Sequence, residues 1–156
     1  MVSQVISTCG RFRIVAFEAE TKYNPSYIDS KVELINKAVW IKNTTMLWGK
    51  KFLKPDTVFD YQSHNQRYTI DFVDYLLRNV KESDFVVVKM DIEGAEYDIV
   101  PDLIARNATY LVDEMFMEVH TNINTCCVGR IDRSYADARK LVRLLRDYGV
   151  YAHMWA

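Results

Sequence analysis

Two short segments of the sequence combine acidic, basic and imidazole side chains at a spacing suited to proton transfer or metal binding. One segment, KMDIE, contains Lys89, Asp91 and Glu93, and the other, EVH, contains Glu118 and His120. Side chains alternate between the two faces of a β-strand, so the members of each pair two residues apart share a face if they lie at strand ends. A carboxylate or an imidazole placed there can take a proton from a hydroxyl group. Two carboxylates and an imidazole can instead ligate a divalent cation.

The elements that must position these residues are the apolar runs directly before them. Residues 85–90, FVVVKM, form a nearly continuous β-branched run, which is typical of a parallel strand covered on both faces. Residues 115–119, MFMEV, predict the next strand, and residues 12–17 predict an earlier one that ends before Glu18. Ligands bind beyond the carboxyl ends of the strands in an open parallel sheet, so we expect Glu18 and Asp91 to face one cleft.

The pattern of the whole chain of 156 residues predicts a single α/β domain, residues 1–156. Apolar runs alternate with helical periodicity, and no internal repeat or linker interrupts them. Residues 41–68 are the least regular part and are predicted to form a long loop or hairpin beside the site. The five predicted strands lie at residues 12–17, 32–40, 85–90, 115–119 and 150–155.

Helix boundaries are predicted from capping residues and from residues that end helices. Thr69 is expected to cap the helix that precedes the central strand, and Ser134 to cap a later helix that ends at Gly149. Residues 93–106 are helical in pattern and are predicted to be interrupted by Pro101.

Each candidate site residue also has an ordinary structural interpretation. Asp91 is a suitable N-cap for the helix after it, which would make Gly94 a turn glycine. Glu18 at the end of a strand is more often a turn residue than a ligand. His120 can be a buried histidine whose hydrogen bonds are satisfied.

Composition and charge exclude several classes of protein. Apolar residues make up 49% of the chain, which argues against disorder, and 20 basic residues against 21 acidic ones give a net charge of -1. Such a balance provides no basic field for nucleic acid. Cys9, Cys126 and Cys127 fit neither a disulfide framework nor a zinc site and are predicted to be free thiols. No signal peptide or membrane span is evident, so a cytoplasmic location is expected by default.

The segment VVVKMDIEGAEYDIV, residues 86–100, resembles the FkbM-type family of S-adenosylmethionine-dependent O-methyltransferases. The signature of that family is a strand ending in Lys-x-Asp-Ile-Glu-Gly-x-Glu. The run IVAFE, ending at Glu18, is similar to the family's second strand, whose terminal acid holds the ribose of the cofactor. The run MFMEVH, residues 115–120, is similar to its fifth strand. The resemblance implies an open, mostly parallel, doubly wound Rossmann-like sheet with Asp91, Glu93 and Gly94 beside the cofactor.

The chemistry implied by the resemblance is methyl transfer to a hydroxyl of a sugar or another small molecule. Asp91 or His120 would remove the hydroxyl proton, and Lys89 would lie in the same site. Alternatively, Asp91, Glu118 and His120 would hold a divalent cation such as magnesium or manganese, which would acidify the hydroxyl. The sequence leaves both alternatives open.

The resemblance has one departure, at the N-terminus. The Gly-rich turn of the type Asp-x-Gly-x-Asn-x-Gly is missing, and only Gly10 precedes the second strand. We therefore expect a sheet without its first and C-terminal strands, which binds S-adenosylmethionine weakly or not at all. The strands ending at Glu18 and Asp91 would then pair directly, or residues 1–9 would supply a substitute strand. An unpaired sheet edge would favour a homodimer.

Two other functions are compatible with the sequence. The first is a non-catalytic, truncated or divergent methyltransferase-fold domain that acts as an interaction module. The second is a metal-dependent hydrolase that uses Asp91, Glu93, Glu118 and His120, and it would turn over without a methyl donor.

Overall fold

The computed structural model of the chain describes residues 12–28, 30–47, 66–121, 124–125, 129–130 and 132–155. These residues form a mixed α/β structure with small, mostly parallel sheets, and they contain ten strands rather than the five predicted. The strands are β1 (Ile14–Phe17), β2 (Val32–Ile35), β3 (Ala38–Trp40), β4 (Thr45–Leu47), β5 (Gln66–Asp71), β6 (Val87–Met90), β7 (Glu114–Glu118), β8 (Asn124–Thr125), β9 (Gly129–Arg130) and β10 (Tyr151–Trp155).

Three α-helices and two short 3₁₀ helices accompany these strands in the described ranges. The α-helices are α1 (Phe72–Asn79), α2 (Glu96–Ala105) and α3 (Tyr135–Asp147), and the 3₁₀ helices are Thr21–Tyr27 and Thr109–Leu111. None of these helices combines the length and the apolar character that crossing a bilayer requires.

The largest parallel sheet has the order β10-β7-β6. Helix α2 connects β6 to β7, and α3 connects β7 to β10, so two strand–helix–strand units advance across the sheet in one direction. Connections of one hand place such consecutive helices on the same face. Both helices pack there on a buried core formed by Met90, Met115, Met117, Ala152, Ile99, Leu103, Ala138, Leu141 and Leu145.

The remaining strands form three smaller sheets. Strands β1 and β2 pair in parallel, β5 lies between parallel β3 and antiparallel β4, and β8 pairs with β9. The predicted strand over residues 32–40 is therefore two strands with different partners. In the described part of the chain, β1 pairs with β2 alone, so the predicted direct pairing with the strand that ends at Asp91 is not formed. The alternative, a substitute strand from residues 1–9, lies outside the described residues, as do the three cysteines.

Several predicted boundaries move by one or two residues. Strand β1 begins two residues later than predicted. Strand β6 also begins two residues later, and the Phe85 side chain before it is 72% exposed rather than buried in the sheet. Strand β7 is shifted by one residue toward the N-terminus, and β10 begins one residue later than predicted. The predicted loop over residues 41–68 contains β4 and the start of β5, and its residues 48–65 lie outside the described ranges.

Two helix predictions are wrong in detail. Thr69 is not a cap but a buried residue of β5, and its hydroxyl donates to the carbonyl oxygen of Lys42 at 2.7 Å. The N-cap of α1 is Asp71, whose carboxylate accepts the backbone N–H of Asp74. Pro101 does not interrupt α2, which runs through it without a break.

The predicted ends of α3 are confirmed. The Ser134 hydroxyl accepts the backbone N–H of Asp137, and the Asp137 carboxylate accepts the backbone N–H of Ser134, which together form a capping box. Gly149 follows the helix with a φ of 89°, in the left-handed region that glycine adopts without strain.

We expect Ser134→Ala to lower the free energy of unfolding by about 1 kcal/mol, the usual effect of losing an N-cap side chain. Hydrogen bonds from the hydroxyl and the backbone N–H of Ser134 lower the pKa of Asp137 to about 2. The stabilisation linked to this carboxylate is therefore present above its unfolded pKa of about 4 and is lost as the pH falls toward 2. The variant should show a smaller loss of stability over this pH range.

Urea unfolding at neutral pH and near pH 3 measures both effects. Ser83→Ala is a suitable control, because Ser83 lies exposed in the turn between α1 and β6. Equal stability of the Ser134 and Ser83 variants would show that the capping box contributes nothing to folding.

Candidate functional site

The carboxyl ends of β6 and β7 bring together three of the residues selected from the sequence. Asp91 directly follows β6, Glu118 ends β7, and His120 lies two residues further on. The strands are parallel, and the pairing of Met90 with Met117 places Asp91 beside Glu118. One ligand atom from each of Asp91, Glu118 and His120 lies within 4.8 Å of the others.

A tight turn between β6 and α2 shapes one side of this cluster. Glu93 and Gly94 both have positive φ angles, 58° and 104°, so the backbone is left-handed at two consecutive residues. The N-cap of α2 is Ala95, and no side chain forms a capping hydrogen bond at this start of the helix. The interpretation of Asp91 as the helix cap is therefore wrong, and its carboxylate lies with His120 instead.

A buried glutamate holds the imidazole of His120. Glu96, in the first turn of α2, has no exposed surface, and its Oε1 lies 3.0 Å from Nδ1 of His120. The same oxygen accepts the backbone N–H of Ile92 at 3.1 Å. Because this carboxylate oxygen accepts the backbone N–H, it acts as an acceptor toward the imidazole as well. Nδ1 of His120 therefore carries a hydrogen, and Nε2 is left to face the cluster.

The other nitrogen of His120 faces two carboxylates. Its Nε2 lies 3.7 Å from an oxygen of Asp91 and 3.8 Å from an oxygen of Glu93. Both distances are longer than a direct hydrogen bond. The imidazole is 7% exposed, whereas Asp91 and Glu93 are 22% and 35% exposed. The cluster is therefore open to solvent on its acidic side and closed behind the histidine.

Neighbouring charges shift two pKa values in the cluster. The hydrogen bond to Glu96 raises the pKa of His120 above its ordinary value, and the carboxylates of Glu96, Glu93 and Asp91 add to this, although burial opposes it. Burial raises the pKa of Glu93, and the neighbouring acids, including Glu118, also raise it, against the effect of His120. The site thus favours a positive charge among its carboxylates.

Lys89 lies on the sheet face opposite the helices and is directed toward β10. Its Nζ is 3.5 Å from the centre of the Trp155 ring, a cation–π contact that spans β7. On the same face, the rings of Phe116 in β7 and His153 in β10 stack with their centres 4.6 Å apart. The expected role of Lys89 in the same site as Asp91 stays a prediction.

Glu18 lies at the end of β1, in the two-stranded sheet. Its Oε1 accepts the backbone N–H of Glu20 at 2.7 Å, and the side chain is half-buried. That contact, which one of the two carboxylate oxygens makes, supports the turn interpretation. That Glu18 and Asp91 face one cleft stays a prediction.

Glu96 contacts His120 but was not among the candidate residues selected from the sequence. It is the last acid of the KMDIEGAE segment and lies in a helix of mostly apolar residues. Acidic side chains are almost never fully buried unless they are paired. An acid on the inner face of that helix therefore signals a buried partner, and the partner is His120.

The arrangement provides an oriented proton acceptor beside two solvent-accessible carboxylates. Glu96 fixes the ring of His120, so Nε2 presents a lone pair toward Asp91 in the neutral form of the ring. Such a group can take a proton from a hydroxyl, or it can ligate a cation with Asp91 and Glu118. The fold and the site together define an α/β domain with an acidic, histidine-containing site at the ends of parallel strands.

Comparison with known families assigns the chain to a group without an assigned activity. The chain belongs to the family described as a domain of unknown function, DUF7870, whose model matches residues 14–156. No curated protein and no solved structure matches the chain significantly.

Proposed function

We propose that the chain is an S-adenosylmethionine-dependent O-methyltransferase domain of the FkbM type, acting on a hydroxyl of a sugar or another small molecule. The observation that carries the proposal is the imidazole of His120, held by buried Glu96 beside Asp91 at the ends of two parallel strands. The KMDIEGAE segment, on which the resemblance to that family rests, supplies both of these acids.

The proposal extends to the fold. We interpret β1 and β2, together with β6, β7 and β10, as parts of one Rossmann-like methyltransferase sheet. The two consecutive strand–helix–strand units with helices on one face support this interpretation. The order of strands in the larger sheet also agrees with it, because β6 and β7 are neighbours and end at the same edge.

The residues at the strand ends suit the cofactor in charge and in hydrogen bonding. S-adenosylmethionine, when bound, would supply a methyl group on a positively charged sulfur. Half-buried carboxylates at Asp91 and Glu93 suit a cation of this kind. The second oxygen of Glu18 would accept hydrogen bonds from ribose hydroxyls.

His120 is the proton acceptor in this mechanism. Nε2 of His120 would take the proton of the acceptor hydroxyl as the methyl group passes from the sulfur of the cofactor to that oxygen, which leaves S-adenosylhomocysteine as the second product. The buried carboxylate of Glu96 stabilises the positive imidazole that forms, and Asp91, 3.7 Å away, does so from the other side. Charge is thus kept within a site that already favours it.

Cofactor binding is tested by calorimetric titration of S-adenosylhomocysteine into the full protein that carries this sequence. We expect saturable binding by the full protein, in contrast to the weak or absent binding expected of residues 1–156 alone. We expect Glu18→Ala to weaken this binding by about 10- to 100-fold, the effect of losing a charged hydrogen bond of about 1.5–3 kcal/mol. Glu33→Ala is the matched control, because Glu33 is an exposed acid on the neighbouring strand β2 and pairs with Arg13. Absence of binding would refute the proposal.

A further inference from the structure

We propose that Asp91, Glu118 and His120 together bind one divalent cation of the manganese or magnesium class, and that Glu96 holds His120 for that ion. The ligand atoms of these three residues converge at the carboxyl ends of β6 and β7. Cation binding does not require the proposed methyl transfer. Only the use of the ion, to acidify the hydroxyl of the acceptor, rests on the proposed function. With the ion bound, Nε2 of His120 is a ligand, so this use of the ion is the alternative to the role of His120 as proton acceptor.

The spacing of the ligand atoms fits an ion between them. All three atoms lie within 4.8 Å of one another, and Nε2 of His120 is 3.7 Å from Asp91. Two ligands on opposite sides of an ion at about 2.1 Å from each are about 4.2 Å apart, and adjacent ligands are closer. Small side-chain adjustments therefore bring the three atoms onto one ion.

The orientation of His120 distinguishes this site from an ordinary group of surface acids. Its imidazole is more than nine-tenths buried, and Nε2 points to carboxylates that are too distant for a direct hydrogen bond. In the neutral ring, the nitrogen lone pair would face carboxylate oxygens, and such an approach of acceptors is unfavourable. A cation bound by this nitrogen and the carboxylates would satisfy all of them together.

Glu96 occupies the place of an outer-sphere partner. Metal-binding histidines usually donate their second ring N–H to a carboxylate, which fixes the ring and increases the basicity of the ligating nitrogen. Glu96 accepts from Nδ1 of His120 at 3.0 Å and has no exposed surface. Its Oε2 is buried without a hydrogen-bond partner in the described structure, and burying such an oxygen costs free energy of folding. The role of Glu96 in holding His120 for the ion gives a reason for this cost.

The charge of the cluster points to a cation as its ligand. Four carboxylates, those of Asp91, Glu93, Glu96 and Glu118, surround a single imidazole, which carries at most one positive charge. Like charges this close destabilise one another. A divalent ion would offset two of these charges, and the exposed side of Asp91 and Glu93 leaves a path for its entry.

The ligand types narrow the choice of ion. Carboxylate oxygens suit magnesium, calcium and manganese, and an imidazole nitrogen shifts the preference toward transition metals. Two carboxylates with one imidazole therefore favour manganese, with magnesium as a weaker competitor. Cysteine thiolates, which would favour zinc, are absent from the cluster within the described residues.

Titration with Mn²⁺, followed by the electron paramagnetic resonance signal of the free ion, tests the site directly. We expect one saturable Mn²⁺ site per chain in the full protein, with competition by Mg²⁺. We expect Glu118→Gln and Asp91→Asn each to weaken binding by at least about tenfold, and Glu96→Gln by about 10- to 100-fold. Far-UV circular dichroism verifies that each variant is folded.

Glu114→Gln is the matched control, because Glu114 also pairs with a histidine, His153, at 2.8 Å but lies at the opposite end of β7. This variant should bind Mn²⁺ like the parent. No saturable binding below about 1 mM in the parent, or parent-like binding by the folded Glu118 and Asp91 variants, would overturn the proposal. Mn²⁺ binding without S-adenosylhomocysteine binding would instead refute the proposed function and leave the cation site in place.

Discussion

Replacing Asp91 by asparagine should slow methyl transfer by about two orders of magnitude or more. The carboxylate lies 3.7 Å from Nε2 of His120, where it stabilises the charge that develops on the imidazole. Removing a group positioned to stabilise charge in the transition state typically costs about 10²–10³ in rate. Asparagine has nearly the same shape, and Asp91 does not cap α2, so the variant should fold normally. Transfer of a labelled methyl group to the hydroxyl acceptor measures the effect.

Glu114→Gln serves as the control for this measurement as well. It removes the same charge from a carboxylate–histidine pair on the same sheet, but at the start of β7 rather than at its end. The distance along the strand is about 13 Å, at roughly 3.3 Å per residue. Equal activity of the Asp91 and Glu114 variants would show that Asp91 has no part in the reaction.

The largest effect on folding is expected for Leu145→Ala. Leu145 is fully buried in the core between α3 and the β10-β7-β6 sheet. Truncation of such a leucine removes favourable apolar burial and leaves a cavity, which together cost about 2–5 kcal/mol. Urea unfolding followed by far-UV circular dichroism measures the change in the free energy of unfolding.

Leu144→Ala provides a closely matched comparison. Leu144 is the adjacent residue of the same helix and undergoes the same substitution, but it is 36% exposed. We expect a loss well under that of Leu145→Ala, because less surface is removed from the core. A comparable loss in the two variants would mean that α3 does not pack on the sheet through Leu145.

Properties encoded by neighbouring residues were predictable from the sequence. The apolar run before Asp91 gave a strand, and Ser134 with Asp137 three residues later gave a helix start, because both signals lie within a few residues. The division of residues 32–40 was not predictable. Asn36 bonds through its side chain to Asn24 and to the carbonyl of Glu18, and the strands on either side of it pair with different neighbours.

Thr69 shows the same limit for helix caps. Threonine before an amphipathic helix is a reasonable cap, but its hydroxyl bonds to Lys42 and its side-chain oxygen accepts the N–H of Thr44, about 25 residues away. Tertiary contacts of this kind override a local preference.

The site was partly predictable for a related reason. Alternation along a strand and the common edge of parallel strands were sufficient to bring Asp91, Glu118 and His120 together. The burial of Glu96 was missed, because it depends on how α2 rotates as it packs on the sheet. No short-range pattern encodes that rotation.

The turn between β6 and α2, in which Glu93 and Gly94 have positive φ angles, shows that a residue can be retained during evolution either for its backbone conformation or for its function. Gly94, with a φ of 104°, is restricted by its backbone, since any side chain there would be strained. Its persistence among relatives would therefore be no evidence of cofactor contact. Position 93, at a φ of 58°, should accept asparagine or glycine with little loss of folding. A positive φ angle does not explain the retention of Asp91, Glu96 and His120. Whether a relative has kept the proposed site should therefore be judged at those three positions.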